Sequence, residues 1–224
     1  MNIFINQMEI LKNCYLIAES TDKYYDPSHD SKHCLKVWAW IKKYYENCES
    51  GLGRDRELRI LQAAALFHEQ NDAKFGRNVE EIENDLRIAM REDGLLEEDI
   101  EIVIELIKNC SFKKRKFRKI KENLVKMMDL LCAADLAEAV GSKAIDRSFE
   151  FHKARILRDE KRTPTNEEVW RHVIEFVEVQ NKDGYMDRFE AIVVEKIKEE
   201  VSLIIEKNMQ RIAEIKKKIN NVKK

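Results

Sequence analysis

Apolar residues recur along this chain at the three- and four-residue spacing of helical faces, and the pattern predicts a succession of helices. The first is expected over about residues 2–18. A polar stretch follows from Ser20 to Ser31, with Pro27 marking a turn. A second helix carries His33 to about Tyr45, capped by Asp30 or Ser31. Residues 49–54 read as a loop, and a third helix runs from about Asp55 to His68. A fourth begins near Asn78 and stops near Gly94. Ile100, Val103, Ile104 and Ile107 trace one face of a fifth. A sixth is expected over about Ile120–Val140, stopped by Gly141, and a seventh over about Ala144–Leu157. Thr163, Pro164 and Thr165 open an eighth that Asp183 and Gly184 close, and one long last helix runs from about Asp187 towards Ile219.

With only six Gly and two Pro, the chain lacks the turn residues of a sheet-rich fold, so the expected class is all-α. No internal repeat or low-complexity linker divides residues 1–224, which read as a single helical domain. In the tail, Val194, Val201, Asn208, Ile215 and Val222 occupy one heptad position, with Ile197 and Ile204 at the other. Two readings follow: a helix packed on its own domain, or one through which the chain forms a homodimer.

Polar residues on apolar faces are the informative exceptions. His33 shares a stripe with Val37, Trp40 and Tyr44. The third helix is apolar almost all round from Ile60 to Phe67, interrupted by Gln62, and ends in His68 and Glu69. Asp135 falls on the stripe of Leu124, Met128 and Leu131. A carboxylate there is costly unless paired, hydrogen-bonded or bound to a metal. Two imidazoles and two carboxylates suit a divalent Mn, Fe, Co, Ni or Zn ion better than Mg, which prefers oxygen ligands alone.

A net charge of −1 gives no electrostatic footprint for nucleic acid over the whole chain. The basic run 113–121 reads either as a solvated segment or as a rim that attracts phosphate. Five cysteines, an odd number without a CxxC, argue for a reducing, cytoplasmic setting. No stretch approaches the length of a membrane span, and no basic leader precedes an apolar run at the N-terminus.

The order His33…His68-Glu69…Asp135 resembles the His…His-Asp…Asp signature of the HD-type metal-dependent phosphohydrolases. DPSHDSKHCLKV (26–37) is similar to the family's HD-x-x-H-x-x-x-V opening, and AAALFHEQNDAKF (63–75) to the AALLHDxxDxKF segment of its small nucleotide pyrophosphohydrolases. KNCSF (108–112) and AADLAEAVGSKAIDRSFEF (133–151) resemble later blocks. The likeness covers a core of about 24–155, and a helical extension of about 165–220 lies beyond it. Two departures stand out: Glu69 replaces the Asp of the HD pair, and Ala133 replaces the first acid of a DADRLDA block whose second acid is kept as Asp135.

The resemblance implies an HD-like helical bundle in which His33, His68, Glu69 and Asp135 hold one divalent cation. It implies a nucleotide or related phosphoester substrate, attacked at phosphorus by metal-activated water, with Asp72 as general base or outer partner. His29, Lys74 and Arg147 are the expected phosphate contacts. The other reading of Glu69 is a degenerate HD domain that binds a nucleotide or a protein partner without turnover.

Overall fold

The structure is a computed structural model that describes residues 10–22, 29–46, 48–70, 79–141, 144–178 and 185–221. Ten α-helices and no strands occur among the described residues, so the chain is all-α. They are α1 (Lys12–Ser20), α2 (Ser31–Tyr44), α3 (Arg54–Phe67), α4 (Val79–Glu92), α5 (Glu97–Asn109), α6 (Val125–Val140), α7 (Ala144–Glu160), α8 (Asn166–Glu178), α9 (Tyr185–Glu190) and α10 (Glu195–Asn221). Two short 3-10 segments, Phe112–Phe117 and Glu122–Leu124, link α5 to α6.

α3 is the central element. Every side chain from Ile60 to Phe67 is buried, and α1, α2, α5 and α6 pack around it. Its start is held by a carboxylate that the hydrophobic pattern does not reveal. Buried Glu57 accepts hydrogen bonds from Tyr45 Oη (2.5 Å), Cys48 N (3.0 Å), Ser50 N (3.1 Å) and Ser50 Oγ. The loop before α3 is thereby wrapped onto the helix.

Asp30 caps α2 by accepting from His33 N at 2.9 Å. Asp22 adds a second clamp, accepting from Ser31 N and Ser31 Oγ at 2.7 Å each. The buried face of α2 is His33, Cys34, Val37, Trp38 and Ile41. Trp40 and Tyr44, expected in that stripe, lie at its half-buried edge with their rings stacked at 5.7 Å. α4 ends as predicted: Gly94 has φ +76°, its N–H donates to Arg91 O, and Leu95 N donates to Met90 O, the bonding of a Schellman stop. At the end of α6 a Cβ on Gly141 would sit 2.2 Å from Ala137 O, so only glycine fits there.

The long last helix is two elements, α9 and α10, separated at residues 191–194. Ile197, Val201, Ile205, Asn208 and Ile212 of α10 are buried, and the helix packs on α6, α8 and α9. The seam therefore faces the chain's own core, with Ile205 rather than Ile204 fully inside. Asn208 Nδ2 donates to Gly141 O (2.9 Å) and Tyr185 Oη (2.8 Å), and Tyr185 Oη donates to Val140 O (2.7 Å). This chain of bonds ties α9 and α10 to the end of α6. No helix among the described residues is long and apolar enough to cross a membrane.

Candidate metal centre

Three elements deliver four ligating groups to one point. His33 comes from the first turn of α2, His68 and Glu69 from the residues just after α3, and Asp135 from the middle of α6. One ligand atom from each lies within 4.8 Å of the other three. His33 Nε2 is 3.2 Å from His68 Nε2, 3.3 Å from Asp135 Oδ1 and 3.6 Å from Glu69 Oε1. His68 Nε2 is 3.5 Å from Asp135 Oδ1 and 3.6 Å from Glu69 Oε1.

These separations fit a shared cation. A tetrahedral ion with bonds of about 2.1 Å spaces its ligand atoms about 3.4 Å apart. The chemistry of the donors fits as well. His68 Nδ1 lies 2.8 Å from Ala65 O, and a carbonyl only accepts, so Nδ1 carries the proton and Nε2 is left to ligate. His33 Nδ1 is buried with no hydrogen-bond partner among the described residues, while the cap from Asp30 fixes the His33 backbone at the start of α2. The imidazoles form the buried floor, and the Glu69 and Asp135 side chains, 12% and 26% exposed, are the more accessible pair.

The electrostatics say the same thing. Burial works against a charge on His68, yet its hydrogen bonds to Asp135 and Cys34 hold it well above the ordinary histidine range. Burial works to neutralise Glu69, but hydrogen bonds from His29 and His33 keep its carboxyl well below the usual value. Asp135 is likewise opposed by burial and held ionised by His33 and His68. The cluster is a trap for positive charge, and a divalent ion supplies it at every contact at once.

Of the other expected site residues, His29 joins the centre indirectly: its Nδ1 lies 2.7 Å from Glu69 Oε1. His29 and Arg147 also line one pocket of about 150 Å³ beside the centre. Asp72 and Lys74 lie outside the described residues. The basic run spans the largely exposed 3-10 segment Phe112–Phe117 and the irregular residues after it. There Arg118 donates to Asn109 O (2.8 Å) and Cys110 O (3.0 Å) and so closes the end of α5.

Sequence reasoning misses two features. One is Arg188, which lines the same pocket from α9. The other is Glu138, one turn after Asp135, buried and 3.0 Å from Lys36 Nζ, which stands one turn after His33. The α2–α6 contact thus has two polar rungs, and only the His33–Asp135 rung had a signal in the residue pattern. In comparisons with known proteins, no family model, no curated protein and no solved structure matches the chain.

Proposed function

We propose that the protein is a metal-dependent phosphohydrolase of the HD type, acting on a nucleotide or related phosphoester. The observation that carries this reading is the convergence of His33, His68, Glu69 and Asp135, within 4.8 Å of one another, on a floor of buried imidazoles. Mixed imidazole and carboxylate donors favour Mn, Fe, Co, Ni or Zn over Mg. When bound, such an ion lowers the pKa of a coordinated water and polarises a phosphoryl oxygen. Glu69, held at one oxygen by His29, and Asp135 fix the more accessible side of the centre. Arg147 is suited to bidentate contact with phosphate in the adjoining pocket. Asp72, three residues beyond Glu69, keeps its proposed role in handling the water.

The 2.7 Å contact between His29 and Glu69 favours a second reading, in which the acid is committed to an ion pair and the domain binds a nucleotide or partner without turnover. Phosphate release from a panel of nucleotides and simple phosphoesters, with each divalent metal in turn, separates the two. Release that His68→Ala and Asp135→Ala reduce by orders of magnitude supports the hydrolase. Nucleotide binding with no release, at full metal occupancy, supports the binding module. A homodimer through α10 would have to use its exposed Leu203 and Met209, since the Ile197–Ile212 stripe is already covered; sedimentation of a Leu203→Glu chain tests that.

A further inference from the structure

The pocket beside the centre has a composition of its own. Among the described residues that line it, His29, Arg147 and Arg188 are basic, and none is Asp or Glu. The rest of its wall is aromatic or apolar, with Phe151, His152 and Phe176 supplying rings. Tyr185 also lines it, but its hydroxyl is spent on Val140 O and Asn208, so it offers the pocket only its ring. His152 stacks on His172 with centroids 5.7 Å apart and an interplanar angle of 15°. Burial, with the charges of Arg155 and His172, pushes His152 down to about 4, so it contributes an uncharged face at neutral pH. Arg188 stands over the Phe176 ring at 5.7 Å and the Phe112 ring at 5.9 Å.

Such a wall asks for an anion that carries a flat ring. Size narrows the choice. The pocket is about 150 Å³, and an engineered cavity of about that volume holds one benzene ring. His29 belongs both to this wall and to the Glu69 contact, so the pocket adjoins the metal centre through one shared side chain.

We infer that the pocket seats the single ring of a pyrimidine nucleotide against Phe151, His152 and Phe176, with its phosphate directed past Arg147 and His29 to the His33–His68–Glu69–Asp135 centre. The inference rests on the reading of that centre as a phosphoester site. A single ring matches the pocket's volume of about 150 Å³, and a ringless phosphoester leaves its aromatic wall in water.

The test is calorimetric titration of the full chain in Mn²⁺ with three probes that cannot be hydrolysed: the methylene phosphonate analogues of uridine and adenosine monophosphate, and methylphosphonate. The uridine analogue is expected to bind about tenfold tighter than either of the others, the scale of one base–aromatic contact. Phe176→Leu should remove most of that advantage and leave methylphosphonate affinity in place. Equal affinities, a preference for adenosine, or an advantage unmoved by Phe176→Leu overturns the assignment. Phosphate release, assayed separately, judges the hydrolase reading: selective binding without release keeps the pocket and removes the hydrolase, and release without ring preference does the reverse.

Discussion

The Nε2 atoms of His33 and His68 face each other across 3.2 Å, with an oxygen of Asp135 within 3.5 Å of both. His68 Nδ1 donates to Ala65 O, so its Nε2 is the atom turned to His33 and Asp135. One proton relieves one such contact; a divalent cation relieves all of them. Chelation should therefore destabilise the purified chain. At free metal about 100-fold above Kd, the ion contributes about 2.7 kcal/mol, which for a chain of this size is a shift of about 5–10 °C in Tm. Thermal melts with and without EDTA check this, and in Asp135→Asn the two curves should coincide.

His29 is expected to act through Glu69. Its ring holds Glu69 Oε1 at 2.7 Å, and Glu has one more rotatable bond to fix than the Asp it replaces in the resembling family. His29→Ala should weaken metal binding by about 10–100-fold, as loss of an outer partner does elsewhere. Metal titration reads the affinity, and far-UV circular dichroism should show the helices unchanged.

The second rung between α2 and α6 predicts a stability effect with no effect on metal content. Lys36→Met leaves the Glu138 carboxylate buried without its cation and should cost about 1–3 kcal/mol. Adding Glu138→Leu should restore much of that loss, because a well-packed apolar pair replaces a half-buried ion pair at little cost. Urea melts of the single and double variants measure both.

Glu57 predicts a pH dependence. Burial works to raise its pKa, but hydrogen bonds from Ser50, Tyr45 and Cys48 outweigh that and lower it below the ordinary carboxylate value. A group depressed in the fold stabilises above its unfolded pKa, about 4.3, and stops doing so as pH falls through its lower folded value. Glu57→Gln should cost about 1.5–3 kcal/mol at pH 7. The gap between variant and parent should close as pH drops below about 4. A gap that stays constant from pH 7 to 3 would show that the carboxylate charge is not what the loop is wrapped around.

How legible the molecule is from its residues depends on which interaction places each part. The α2 and α5 faces follow from periodicity because burial of one stripe decides them, whereas α3 is legible from being apolar almost all round. Gly94 and Gly141 mark helix ends because positive φ and a close carbonyl exclude other residues. The four centre residues are legible as polar exceptions on those faces. Arg188 is not, since it comes from α9, far along the chain, and nothing in its neighbours distinguishes it from a surface arginine. The break at 191–194 is hidden too: Ile192 is pulled inside by tertiary packing, without a Gly or Pro to announce the turn. Glu57 reads as an ordinary first-turn acid until the loop that folds onto it is seen.

The most direct test of the centre is anomalous diffraction from crystals of the full chain grown with Mn²⁺. A single peak about 2.0–2.3 Å from His33 Nε2, His68 Nε2, Glu69 Oε1 and Asp135 Oδ1 is the expected result. No peak among those atoms at saturating Mn²⁺, or a peak only elsewhere in the molecule, would contradict it.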